Sequence, residues 1–160
     1  MQMKQAITPC LWFDGNAEEA VNFYISTIKN ARINTVTRFG NEGYGAKGSV
    51  LTIVFELNGL TFMALNGGPE FAFTPAISLI LYCENQVEID AYWEKLGEGG
   101  VYSQCGWLTD KFGLSWQIVP TILDELMGTG DAAKSDNVMK ALLQMGKLDI
   151  EMLEKAHRDG

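Results

Sequence analysis

The sequence predicts an α+β chain in which two βαβββ units stand in tandem and a set of helices follows. Three observations carry this. An apolar stripe at helical spacing occurs twice, as Ala20, Phe23, Tyr24 and Ile28 and again as Ile89, Tyr92, Trp93 and Leu96. Each stripe follows a short run of β character and precedes three more such runs. After Pro120 the alternating pattern gives way to helical spacing that lasts to the end of the chain.

Residues 6–13 (AITPCLWF) form the first strand-like run, with Pro9 marking an edge or a strand start because proline donates no ladder hydrogen bond. Asp14-Gly15-Asn16 reads as a turn, and Asn16 as the N-cap of a helix over 17–28. Residues 32–39 read as a strand and 40–48 (GNEGYGAKG) as a flexible, glycine-rich loop. Strands over 49–57 and 60–65 flank Asn58-Gly59, a dipeptide suited to a two-residue hairpin because both positions accept positive φ. The second half repeats the order. A strand over 76–83 is followed by Asn85 as N-cap, a helix over 87–96 and short strands at 101–104 and 107–108. A turn at 109–113 leads into a last strand over 114–119, which Pro120 ends. This second unit lacks the glycine-rich loop and is shorter for it. Identity between the halves is low, so what repeats is architecture.

The units span about 6–66 and 75–120, giving a domain over 1–120 and a helical extension over 121–160. In the extension, 121–127 read as helical and GTGD as a break. Asp136 is read as the cap of a helix over 138–145, and Asp149 as the cap of another over 150–157. The stripes Val138, Leu142, Leu143, Met145 and Ile150, Leu153, Ala156 read as packing surfaces, against a sheet edge or a partner subunit.

Composition excludes several function classes. Twenty acidic against twelve basic residues give a net charge of −8, with no basic cluster to drive nucleic-acid binding by counterion release. An anionic membrane surface repels such a chain, and no apolar stretch is long enough to span a bilayer. The N-terminal residues 1–6 lack an apolar signal core, and the three separated cysteines read as reduced thiols, so a cytoplasmic location is expected. The single histidine, His157, excludes a Ser-His-Asp triad within 1–120 and the two-histidine metal sites.

Three segments carry a family resemblance: ITPCLWFDGNAEEAVNFY at 7–24, CGWLTDKFGLSWQIVP at 105–120 and VMKALLQMGKLDIEMLEKA at 138–156. They span nearly the whole chain and resemble the PhnB-like group of the vicinal-oxygen-chelate superfamily, the fold of glyoxalase I and bleomycin-resistance proteins. The resemblance implies that the two units form a cupped mixed sheet, with helices on its convex side and a ligand site in the cup. It also implies a homodimer. In metal-dependent relatives the first and last strands of each unit supply four ligands, usually His, Gln or Glu. Those places fall on Thr8, Met63, Ser78 and Gln117 here, a poor donor set for a divalent transition metal. No metal and no cofactor are therefore expected. The group also carries the name 3-demethylubiquinone-9 3-methyltransferase. The glycines at 40, 43, 45 and 48 lie between two strands and open no helix, so they do not form the nucleotide loop of a Rossmann-like methyltransferase.

Strand alternation groups Thr8, Cys10 and Trp12 on one face, Met63 and Leu65 on another, and likewise Ser78 with Ile80 and Ser115 with Gln117. If these faces line the cup, it is mostly apolar with a few hydrogen-bonding groups and suits a small organic molecule. Cys10 and Cys105 have no adjacent histidine or base and read as unactivated, buried thiols. Asp110 and Lys111 read as solvated turn residues, with Asp110 also placed to cap the turn. The four tryptophans read chiefly as core. Two functions stay open at this stage: a binding module for a small apolar ligand, and a metal-independent enzyme using Gln117, Ser78, Thr8 or a cysteine.

Overall fold

The computed structural model describes residues 5–160; the first four, read above as part of a leaderless N-terminus, lie outside the described residues. The chain divides into two compact units, with the boundary between Ala72 and Phe73. The first contains β1 (Cys10–Phe13), α1 (Ala17–Thr27), β2 (Ala31–Arg38), β3 (Val50–Leu57) and β4 (Leu60–Asn66). Its sheet runs in the order β1-β4-β3-β2, with β1 parallel to β4 and the other pairs antiparallel.

Alternation explains which face is covered. Leu11, Phe13, Ile53, Phe55, Leu57, Phe62 and Ala64 are buried and share the unit's core with Ala17, Ala20, Val21 and Tyr24 of α1. Each large apolar side chain so buried contributes about 1.5–3 kcal/mol. The rings of Phe55 and Phe62 stack 5.5 Å apart across β3 and β4. The turn between these strands holds Asn58 at φ 47° and Gly59 at φ 86°, as the Asn-Gly hairpin requires.

Three local expectations in this unit need correction. Asn16 stands at the N-cap of α1 but makes no side-chain cap bond. The Ala17 amide instead donates to Oδ1 of Asn66 at the end of β4 (3.0 Å), whose Nδ2 donates to the Val50 carbonyl (3.0 Å). The first strand is also shorter than the apolar run, because residues 6–9 precede the ladder. The glycine-rich loop is packed rather than free. The Tyr44 ring meets Phe39 edge-on at 5.1 Å, and its hydroxyl donates to the Asn66 carbonyl at 2.8 Å. A Cβ at Gly45 would lie 2.3 Å from the Phe39 ring, so glycine is required there.

The second unit contains β5 (Ser78–Cys83), α2 (Gln86–Gly97), β6 (Val101–Tyr102), β7 (Trp107–Thr109) and β8 (Ser115–Pro120), with sheet order β5-β8-β7-β6. Here the cap is local: Oδ1 of Asn85 accepts from the Glu88 amide at 3.0 Å, and the Glu88 carboxylate accepts from the Glu84 amide at 2.9 Å. Ile89 and Leu96 are fully buried, as are Leu108 and Ile118. Trp93 is half-buried and stacks on Tyr102 with centroids 4.9 Å apart.

Asp110 departs from the solvated reading. It is 2% exposed, and its Oδ1 accepts from the amides of Phe112 (2.8 Å) and Leu114 (3.1 Å). Its Oδ2 accepts from Trp116 Nε1 at 2.9 Å. Desolvation of the carboxylate is offset because these N–H groups take the place of water.

The extension belongs to this second unit and forms α3 (Ile122–Met127), α4 (Ala132–Leu143) and α5 (Ile150–Arg158). The cap of α4 is Asp131, which accepts from the amides of Ala133 and Lys134; Asp136, expected to be the cap, lies inside the helix. Asp149 caps α5 as read. Leu126, Val138, Met145, Leu148 and Leu153 form its core, whereas Leu143, part of the expected stripe, is exposed. The connection between α4 and α5 ties the extension down. The amides of Cys105 and Gly106 donate to the carbonyls of Met145 and Gly146, each at 2.8 Å. Gln86 brackets the same segment, donating to Leu148 O (2.9 Å) and accepting from the Ile150 amide (2.9 Å). Lys147 pairs with Asp90 at 2.9 Å, and its hydrogen bond, with that from Gln86, holds the Asp90 carboxyl below the ordinary carboxylate range. Among the described residues no helix is long and apolar enough to cross a membrane.

Candidate functional site

The face of the first sheet that α1 leaves uncovered carries Cys10 and Trp12 from β1, Thr61, Met63 and Leu65 from β4, and Thr52, Val54 and Glu56 from β3. Against it lies an open hollow of about 1080 Å³. Val54, Met63, Ile33 and Ala6 supply its apolar surface; Thr8, Thr61, Asn34, Gln5, Arg32 and Glu56 supply its polar groups. Two of the residues singled out from sequence, Thr8 and Met63, therefore share this hollow. Thr8 precedes β1, and its position is held by the parallel start of the sheet, where the Met63 amide donates to the Pro9 carbonyl at 2.9 Å. Gln5 clamps the same end of β4, accepting from the Thr61 amide and donating to its carbonyl.

Cys10, Trp12 and Leu65 lie on the same sheet face but outside the lining of the hollow. Trp12 is anchored, its Nε1 donating to the Gly68 carbonyl at 2.8 Å and its ring meeting Phe71 edge-on at 5.0 Å. Cys10 is exposed rather than buried, yet partial desolvation pushes its thiol above the ordinary cysteine value. A raised thiol is a weaker source of thiolate, which fits the unactivated reading.

The hollow contains residues that sequence reasoning missed. Arg32 on β2 faces Glu56 on β3 directly, and its Nε donates to Oε2 at 2.5 Å. Just beyond, the register slips between Ile33 and Thr35, leaving Asn34 without a partner across the ladder. Such a bulge lets three successive residues, Arg32, Ile33 and Asn34, line one hollow, which a regular alternating strand does not allow. The only available signal was the opposite charge of two residues whose pairing depends on the β2–β3 register.

In the second unit, Ser78 of β5 and Gln117 of β8 come together. Gln117 Nε2 donates to Ser78 Oγ at 2.9 Å. Ile80, the register partner of Gln117, is 49% exposed, and Tyr82 further along is 50% exposed. Ser115, by contrast, is 2% exposed and offers no open surface. The residues that the resemblance sets at the family's metal-ligand places, Thr8, Met63, Ser78 and Gln117, are a hydroxyl and a thioether in the first unit and a mutually bonded hydroxyl and amide in the second. This donor chemistry does not fit a divalent transition metal. Among the described residues no cluster of three or more His, Cys, Asp or Glu side chains is placed to hold a metal ion. His157 lies on α5 rather than on either sheet.

Residues 5–119 match the profile of the family described as 3-demethylubiquinone-9 3-methyltransferase. The match stops at 119, so the segment at 138–156, read above as part of the resemblance, lies outside it. A PhnB protein from Bacillus cereus, bearing the same methyltransferase name, is 39% identical in sequence with a TM-score of 0.68. That similarity covers 73% of this chain and 100% of the relative. Protein PA1353 from Pseudomonas aeruginosa is 21% identical with a TM-score of 0.61, over 73% of this chain and 98% of that one, and shows the fold alone. No curated protein matches the sequence. With the profile spanning both βαβββ units, the chain belongs to the 3-demethylubiquinone-9 3-methyltransferase family, the PhnB-like group of the vicinal-oxygen-chelate superfamily with its glyoxalase/bleomycin-resistance fold.

Proposed function

We propose that this PhnB-like protein binds a small, largely apolar organic molecule against the uncovered face of its sheets, without a metal. The observation that carries the reading is the hollow floored by Val54 and Met63 and edged by a few polar side chains, the usual make-up of a small-molecule site. The donor set at the family's metal places supports the metal-free part of the reading. The placement of the glycines between β2 and β3, away from any helix start, supports binding rather than methyl transfer from a nucleotide-bound donor.

Native mass spectrometry of the purified protein tests this directly. We expect a co-purifying organic molecule on the 17.7 kDa chain, lost when Met63→Trp fills the hollow. Protein that carries nothing and takes up no member of an apolar ligand library overturns the reading. Titration with Zn or Ni is expected to give no tight stoichiometric binding, and S-adenosylmethionine no micromolar binding. A second reading, a metal-independent enzyme, is favoured by the hydrogen-bonded Ser78–Gln117 pair, which offers an amide oxygen and a hydroxyl on neighbouring strands. Turnover of the co-purified molecule, abolished by Gln117→Ala, would select it. A cytoplasmic homodimer completes the proposal; light scattering is expected to return twice the chain mass.

A further inference from the structure

We infer that the molecule taken by the first unit's hollow is an organic anion, a carboxylate head on an apolar body, and that Arg32 and Asn34 read the head. The inference rests on the binding reading above and adds the ligand's charge. Arg32 donates to Glu56 through Nε alone, and among the described residues neither Nη takes part in a hydrogen bond. A guanidinium held at one edge by a neighbouring carboxylate keeps its outer N–H groups in a defined plane, the arrangement that meets a carboxylate through two parallel bonds. Asn34 is the extra residue of the bulge, and its amide has no hydrogen bond among the described residues. The bulge therefore adds a second free donor to the same hollow, two residues from the first. The remaining polar groups are committed or neutral: Gln5 is used on the Ile7 carbonyl and on the backbone of Thr61, the Thr8 hydroxyl donates to the Gln5 carbonyl (3.5 Å), and Thr61 offers a neutral hydroxyl. The apolar body of the ligand lies over Val54, Met63 and Ile33.

A cross-strand ion pair on a sheet surface commonly contributes little and recognises nothing. What separates this pair from that case is its place at the rim of a hollow, beside a bulge that brings an unpaired amide into the same lining.

The test uses octanoate, octanamide and octanol as probes in a titration of the ¹⁵N-labelled full chain followed by NMR. We expect octanoate to bind about tenfold or more tighter than octanamide, the size of a charge-assisted hydrogen bond, with shifts at Arg32 Nε, Val54 and Met63. Arg32→Gln is expected to remove the preference while octanamide binding changes less than about threefold, and Asn34→Ala to narrow it. Arg32 is exposed, so its replacement leaves the core intact, and an unchanged amide spectrum elsewhere verifies folding. Equal binding of acid and amide to the unaltered protein, or a preference that survives Arg32→Gln, overturns the anion assignment while the apolar site stands. Failure of all three probes to shift Val54 or Met63 overturns both.

Discussion

The two units share a strand plan but use their outer strands differently. In the first, β2 and β3 are eight residues each, and the hairpin they form is long enough to carry a bulge, an Arg–Glu pair and the packed glycine-rich loop. In the second, the corresponding β6 and β7 are two and three residues long. The backbone between them, at Cys105 and Gly106, donates its amide hydrogen bonds to the extension instead. The family profile, over residues 5–119, leaves the extension uncovered. A shared fold thus elaborates one half by lengthening strands and the other by adding helices that bond to a truncated edge.

The turns show the same contrast, and they give the largest expected effect. The first unit turns on Asn58-Gly59 through backbone conformation, whereas the second turns around the buried Asp110 carboxylate. Asp110→Ala leaves two amides and an indole N–H without their acceptor, and we expect a loss of about 3 kcal/mol in urea unfolding. A loss below about 1 kcal/mol would remove the distinction between the two turns.

The helix caps come next. Asn66→Ala strips the α1 cap and also strands the Val50 carbonyl, for an expected cost of about 2 kcal/mol. Asn85→Ala removes only a local cap on α2, at about 1 kcal/mol. Equal losses would mean that the long-range cap of the first unit holds no more than the local one of the second.

The smallest effect separates the extension from the rest by pH. Asp90 is lowered from its ordinary 3.8 in the folded chain, chiefly by the hydrogen bond from Lys147. Its contribution is complete above that value and is lost as pH falls below it through the folded pKa. Amide exchange at Met145–Ile150 is expected to rise there in the native chain, and the rise to vanish in Asp90→Asn. The pair is exposed, so the change is small.

Much of this fold was legible because it depends on local signals. The Asn-Gly hairpin, the buried stripes of α1 and α2, and the Asn85 and Asp149 caps each lie within a few residues of what they control. The misread features depend on chain returning from elsewhere. Asp110 looked solvated because its Trp116 partner comes back on the next strand, and Asn66 caps a helix 49 residues away. Asp136 and Asp131 are equally good caps by type; α4 begins at Ala132, six residues before the apolar stripe that starts at Val138. For the hollow, strand alternation grouped Met63 with the lining face, and Thr8 was reached only by extending the alternation of β1 back beyond the start of the strand. Arg32, Glu56 and Asn34 were not reached, because a one-residue slip in register changes which side chains share a face.

The irregular β2 has a consequence for how molecules of this protein meet one another. It is the outermost strand of its sheet, and an unbroken outer strand eight residues long is a ready template for a neighbouring chain. Register slips at Ile33/Thr35 and Thr37/Arg38 interrupt that template, and arginines stand near both ends. The distortion that gives the hollow its second donor therefore also discourages the sheet from growing into a fibre, so straightening β2 would trade recognition for aggregation.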